Sequence, residues 1–258
     1  PAARRPPPPA PAPAPAPRAP RSAGSLVQKD AAGERTAAER ASFGRALETM
    51  GSWYAHKLTT TFSMSVAPAG SSATPYGERG WTTFERQVSQ LVKEASADSW
   101  RRLADASVVR TVGPCGGAYI EPPMHPRAFA AALARKTFTN GRSDCELVAG
   151  LYYDTLAGSL GHVDALRYVN CGWGDEEVAR LAEVLEWARE ARLLELRGNP
   201  RIGRRGYAAL AAALRDARAA PKLREIRVDY PEGPSATELR AACRAREILV
   251  RDTLRTRV

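Results

Sequence analysis

The sequence predicts an α/β protein in two parts, a mixed α/β segment followed by stacked strand–helix units. The first observation behind this is a repeat. Leu194-Glu195-Leu196-Arg197-Gly198-Asn199 is followed by Ile202-Gly203, Gly206, Leu210-Ala211 and Leu214. The run Leu166-Arg167-Tyr168-Val169-Asn170-Cys171 lies 28 residues upstream and leads into Trp173-Gly174, Leu181-Ala182 and Leu185. A third copy opens at Leu223, with Ile226 and Val228 in the strand slots. The second observation is a change of apolar period between helix-like and strand-like stretches upstream of the repeat. The third is bulk composition: 258 residues at 44% hydrophobic content suffice for one large domain or two small ones.

Residues 1–24 are predicted to be a disordered Pro/Ala-rich segment, because proline cannot donate to a helix or a ladder. It reads as a linker or as a polyproline ligand for a partner domain. Thr36-Ala37-Ala38-Glu39 forms a capping box, and Phe43, Ala46, Leu47, Met50 and Tyr54 follow at helical spacing, ending near His56. Leu58, Thr60, Phe62, Met64 and Val66 alternate with Thr and Ser, which predicts a strand with one buried face. Pro68, Gly70 and Pro75 mark a loop. A second capping box, Thr82-Thr83-Phe84-Glu85, is expected to open a helix with Phe84, Val88, Leu91, Val92 and Ala95 inward.

Val108 to Val112 is a short strand candidate, and Gly113-Pro114-Cys115-Gly116-Gly117 a turn. That loop lacks the G-K-[ST] of a phosphate-binding loop. A helix is expected over 127–136. Another is capped by Ser143-Asp144-Cys145-Glu146, carries Leu147, Val148, Leu151, Tyr152 and Leu156, and stops at Gly158 or Gly161. The repeats fill roughly 163–230. A last helix over 235–254, with Leu239, Ala242, Ile248 and Leu249 inward and its arginines in water, is expected to cap them.

No apolar run approaches the roughly 20 residues a membrane helix needs. The Pro/Arg-rich start has no apolar signal core, and the absence of Met at position 1 fits a processed product or a fragment. Cys115, Cys145, Cys171 and Cys243 form no C-x-x-C pair, and His56, His125 and His162 are the only histidines, so no metal site is predicted. Scattered cysteines suit an intracellular, cytoplasmic compartment. The net charge is +10, fed by Arg4, Arg5, Arg18 and Arg21 in the tail and by Arg240, Arg244, Arg246, Arg251, Arg255 and Arg257 near the end. These arginines read as a solvated basic surface or as a nucleic-acid or acidic-surface contact.

The I-G-x-x-G and L-A-x-x-L spacing, here Ile202-Gly203 with Gly206 and Leu210 with Leu214, resembles the ribonuclease-inhibitor type of leucine-rich repeat. That resemblance implies a short solenoid over 158–258, a protein partner on the strand face, and contacts from Arg167, Glu195, Arg197, Glu225 and Arg227. Cys171 and Asn199 would fill the structural N/C slot of the repeat. Residues 25–157 carry Ser25-Leu26-Val27-Gln28, Arg35-Thr36, Tyr76, Arg79-Gly80-Trp81, Phe84-Glu85 and Lys136-x-Phe138-Thr139-Asn140-Gly141. These resemble TIR and heterokaryon-incompatibility domains of predicted algal proteins, which implies a flavodoxin-like, here truncated, α/β domain. Trp81 and Glu85 stand four apart like the Trp and Glu of the TIR motif. The resemblance thus implies Glu85 as the catalytic carboxylate of an NAD hydrolase, with NAD the substrate. Read from the residues alone, Glu85 is a capping-box carboxylate and Trp81 an anchor at the helix start. The expected function is non-catalytic protein–protein interaction in signalling. NAD hydrolysis and nucleic-acid binding are the alternatives.

Overall fold

The computed structural model describes residues 35–56, 59, 61–64, 74–92, 109–112, 120–229 and 234–253. Several expectations lie outside them: the segment 1–24, the motif 25–28, the loops at 68–73 and 113–117, Ala95, and Arg255 and Arg257. The chain divides into two compact units, Pro1–Ala46 and Leu47–Val258, and the division falls inside helix α1 (Ala37–Ala55). In the first unit the Thr36 box is formed. Glu39 N–H donates to Thr36 Oγ1 at 3.2 Å, and Glu39 Oε2 accepts from Thr36 N–H at 2.9 Å. Arg35 lies 3.7 Å above the Phe43 ring.

The second unit opens with the end of α1 and strand β1 (Thr61–Met64), which pairs in parallel with β2 (Val109–Val112). Helix α2 (Gly80–Ser89) follows a 3-10 turn at Tyr76–Glu78. It begins three residues earlier than the Thr82 box predicts. Arg79 is its N-cap, and the Thr82 and Thr83 hydroxyls donate back to the Arg79 carbonyl at 3.0 and 2.8 Å. Gly80 fixes that start: its N–H bonds Thr137 O at 3.0 Å, and a Cβ there would sit 1.9 Å from the Phe138 ring.

Helix α3 (Pro126–Leu133) is capped by His125, whose Nδ1 accepts from Arg127 N–H at 3.1 Å. Helix α4 (Arg142–His162) differs from expectation at both ends. Ser143 is not its cap, because the hydroxyl donates to Asn140 O at 3.0 Å. It also passes through Gly158 and Gly161. Leu156 and Leu160 are fully buried, and that burial outweighs the roughly 1 kcal/mol a helical glycine costs. Leu147, expected inward, is exposed.

From Ala165 the chain alternates strand and helix. Strands β3 (Ala165–Arg167), β4 (Leu193–Glu195), β5 (Glu225–Asp229) and β6 (Leu249–Thr253) form one parallel sheet in chain order. Helices α5 (Asp175–Ala182), α6 (Arg204–Leu214) and α7 (Pro234–Ala245) connect them and pack on one another. Leu166, Leu194 and Ile226 pair in register and are buried toward those helices.

The expected terminal helix over 235–254 is instead α7 followed by β6. Glu247 adopts φ +57°, Ile248 N–H bonds Cys243 O at 2.8 Å, and Glu247 N–H bonds Arg244 O at 3.1 Å. That pair of bonds is a Schellman stop, and buried Ile248 and Cys243 supply its apolar contact. The freed Leu249–Thr253 run then pairs with β5 over five residues.

One core runs through the second unit from Phe84 to Ile248. Tyr168 stacks on fully buried Trp173 at 4.4 Å, and Trp173 Nε1–H donates to Ile120 O at 2.7 Å. No described helix is long and apolar enough to cross a membrane.

Candidate functional site

Alternation along each strand sends one set of side chains to the helices and the other to the opposite sheet face. On that opposite face Arg167, Glu195, Arg227 and Arg251 form one cross-strand row, and Ala165, Leu193, Glu225 and Leu249 the next. The charges are chained. Glu195 takes a bidentate contact from Arg197, through Nε and through Nη2 at 3.0 Å, and a third from Arg227 Nη1 at 3.2 Å. Arg227 Nε reaches Glu225 at 2.6 Å, and Arg251 Nε reaches the same Glu225 oxygen at 2.9 Å. Arg227 holds the Glu225 carboxyl below its usual range.

Arg197, Glu225 and Arg227 therefore stand together, with Arg167 exposed at one end of the row. Glu195 requires a correction: it is 1% exposed, not solvated. A buried carboxylate is costly unless paired and hydrogen-bonded, and two guanidinia supply the pairing here. The residue reasoning missed is Arg251. Expected on the terminal helix, it stands instead on β6 beside Glu225, with its side chain 64% exposed and Leu249 51% exposed two residues earlier.

The N/C slot is structural. Asn199 is 1% exposed, and its Nδ2 donates to Tyr168 O at 2.7 Å and Leu196 O at 2.8 Å. Its Oδ1 accepts from Trp173 N–H at 3.0 Å. Cys171 is buried, and that burial pushes its thiol up to about 12, far from a reactive thiolate.

The motif residues of the upstream segment also meet. Trp81 Nε1–H donates to Asp144 Oδ2 at 3.3 Å, Lys136 Nζ to Gly77 O at 2.6 Å, and Thr82 Oγ1 to Tyr76 O. Phe84 is fully buried and meets Trp81 edge-on at 6.4 Å. Trp81 thus ties α2 to α4, while Lys136 and the bridge between Arg79 and Thr137 tie the turn before α2 to the α3–α4 connection. Glu85 is not a cap, since it lies in the second turn of α2. Its carboxyl instead lies near Tyr54 and Arg79; burial raises its pKa, while Tyr54 and Arg79 pull it down.

A cleft of about 630 Å³ opens where the end of α1 meets α4 and β3, lined in part by His56, Asp154, Ser159, His162, Asp164 and Arg167. His162 Nδ1 donates to Gly158 O at 2.7 Å. Sequence reasoning did not find this cleft, because its residues come from three separated segments. Glu85 is not part of its lining. No group of three His, Cys, Asp or Glu that could hold a metal occurs among the described residues.

The C-terminal arginines are only partly solvated, contrary to expectation. Arg240 pairs with Asp252 at 2.6 Å, and Arg246 donates to Ala219 O and Ala220 O at 2.7 and 2.8 Å. Both carbonyls lie in the turn between α6 and β5, so these bonds hold Arg246 against that turn. Compared with known proteins, the chain matches no family model and no curated protein.

Proposed function

We propose that the chain is a protein-binding module of leucine-rich-repeat type, with the face of the β3–β6 sheet opposite α5–α7 as its contact surface. The observation that carries this reading is the exposure of Arg197, Arg251 and Leu249 on one sheet face whose other side is packed against helices. A sheet face that presents exposed side chains in an ordered charge array, with an apolar side chain beside it, is suited to a macromolecular partner. Signalling within the cell is the setting this proposal favours.

The test is a photoreactive group placed at Leu249 in the full chain, with the partner's contact mapped and its affinity re-measured after Arg251→Glu. Arg251 is preferred to Arg227 because reversing Arg227 would strip a counter-charge from buried Glu195. Partner affinity unchanged by Arg251→Glu, with no cross-link at Leu249, would remove the face from the proposal.

Glu85 favours a second reading, NAD cleavage. Its carboxyl is raised by burial and lies near Tyr54, an environment suited to acid–base work. Nicotinamide release from NAD that disappears in Glu85→Ala supports it; no release by the folded chain ends it.

A further inference from the structure

The charges on the β3–β6 face are layered by depth. Glu195 is 1% exposed and Glu225 21%, whereas Arg197 is 44%, Arg227 31% and Arg251 64% exposed. The acids lie below and the guanidinia above, so an approaching partner meets cations first. Three arginines against two glutamates leave one net positive charge, and Arg167 and Asp229 add one of each sign. The Asp229 carboxylate is occupied, accepting Gly198 N–H at 3.0 Å and Asn199 N–H at 2.8 Å.

The arginines also keep donor capacity. A guanidinium has five N–H donors. Among the described residues Arg251 contacts Glu225 through Nε, and Arg227 contacts its two glutamates through Nε and Nη1. Their remaining N–H groups can take further carboxylate oxygens.

Two features separate protein from nucleic acid as the occupant. Glu195 and Glu225 interrupt the positive charge, which a continuous phosphate backbone would meet as repulsion. The face also carries Leu193 and Leu249, on either side of Glu225 in one row, and among the described residues no aromatic side chain for base stacking. Strands lie about 4.8 Å apart, so the two leucines are roughly 10 Å from each other.

We propose that this face binds an acidic protein segment, with carboxylates over Arg197, Arg227 and Arg251 and an apolar side chain over Leu249 and Leu193. The inference rests on the sheet face being the contact surface and adds the chemistry of the partner.

The experiment uses the full chain and three fluorescein-labelled probes: a peptide rich in Glu with two Leu, its copy with Gln for every Glu, and a single-stranded oligothymidylate. The Glu peptide is expected to bind about tenfold tighter than the Gln copy, with affinity falling as salt rises. Arg251→Ala and Leu249→Ala are each expected to weaken it by about fivefold or more, as a contact worth a kcal/mol does. Replacing Arg4, Arg5, Arg18 and Arg21 should leave it unchanged.

Equal binding of the Glu and Gln peptides overturns the inference, as does Glu-peptide binding that ignores Arg251→Ala and Leu249→Ala. Tighter oligothymidylate binding that these two substitutions abolish assigns the face to nucleic acid. A neutral or basic protein cross-linked at Leu249 overturns only the acidic chemistry and leaves the contact surface standing. Absence of any contact at Leu249 removes both.

Discussion

The carboxylate of Asp175, first residue of α5, caps the following helix by accepting Gly206 N–H at 2.9 Å. The same Oδ1 accepts Gly203 N–H at 2.6 Å, and Oδ2 takes Arg205 N–H at 3.3 Å. One side chain thus satisfies the orphan donors of its neighbour's helix and puts negative charge at its positive end. The approach leaves no room for a larger residue, because a Cβ at Gly206 would sit 2.9 Å from Oδ1 and 3.2 Å from the Asp175 Cα. Asp175→Ala is expected to cost about 1–2 kcal/mol and Gly206→Ala about 1–3 kcal/mol. Urea unfolding of both and of the double variant checks this. The double variant should lose less than the sum, since removing the carboxylate relieves part of the clash.

Asn199 bonds three backbone groups that have no access to water. Asn199→Ala leaves Tyr168 O, Leu196 O and Trp173 N–H short of partners and is expected to cost at least about 2 kcal/mol. Asn199→Asp should be worse than Ala at neutral pH, because a carboxylate would then face two carbonyl oxygens. That difference should narrow as pH falls and the introduced acid is protonated. Equal stabilities of the two variants from neutral to acid pH would show that the slot tolerates charge.

What the sequence revealed, and what it hid, follows from range. The strand residues Leu166, Leu194 and Ile226 were legible because a repeat displays the same burial at a fixed interval. The α7 stop was hidden, because its αL residue is Glu247 where Gly or Asn would have signalled it. Leu239, Ala242 and Ile248 fit a helical stripe equally well, so β6 and the place of Arg251 stayed concealed. Strand alternation put Glu195 on the face opposite the helices but could not tell that two arginines would cover it. The nearness of Tyr54 to Glu85 and the cleft beside His162 depend on contacts between distant segments, which no local pattern encodes.

Glu195 makes the arginines beside it unequal. Arg227 supports a buried carboxylate, whereas Arg251 touches only partly exposed Glu225 among the described residues. Arg227→Ala is expected to destabilise by about 1–3 kcal/mol, with Arg197 still holding Glu195. Arg251→Ala should stay within about 0.5 kcal/mol of the parent protein. Denaturant midpoints decide it, and equal losses would mean that burial of Glu195 places no special demand on Arg227.

The Tyr54–Glu85 contact carries a pH dependence of definite sign. Burial raises the Glu85 carboxyl above its ordinary 4.5, with Tyr54 and Arg79 opposing, and Tyr54 itself is pushed up to about 12. The folded state therefore holds the Glu85 proton more tightly than the unfolded chain. Below the unfolded value the buried acid is neutral and costs nothing. As pH rises through the folded value the cost of a buried carboxylate appears and stability falls. Glu85→Gln keeps an acceptor for Tyr54 and never ionises. It should match the parent's melting temperature at about pH 4 and exceed it at pH 7. Tyr54→Phe removes a group that favours the carboxylate, so it should leave the onset of the loss in place, extend the loss to higher pH and make it larger. Melting curves by circular dichroism from about pH 4 to pH 8 are the measurement. A Glu85→Gln advantage that is the same at every pH would place the origin of the effect outside this carboxyl.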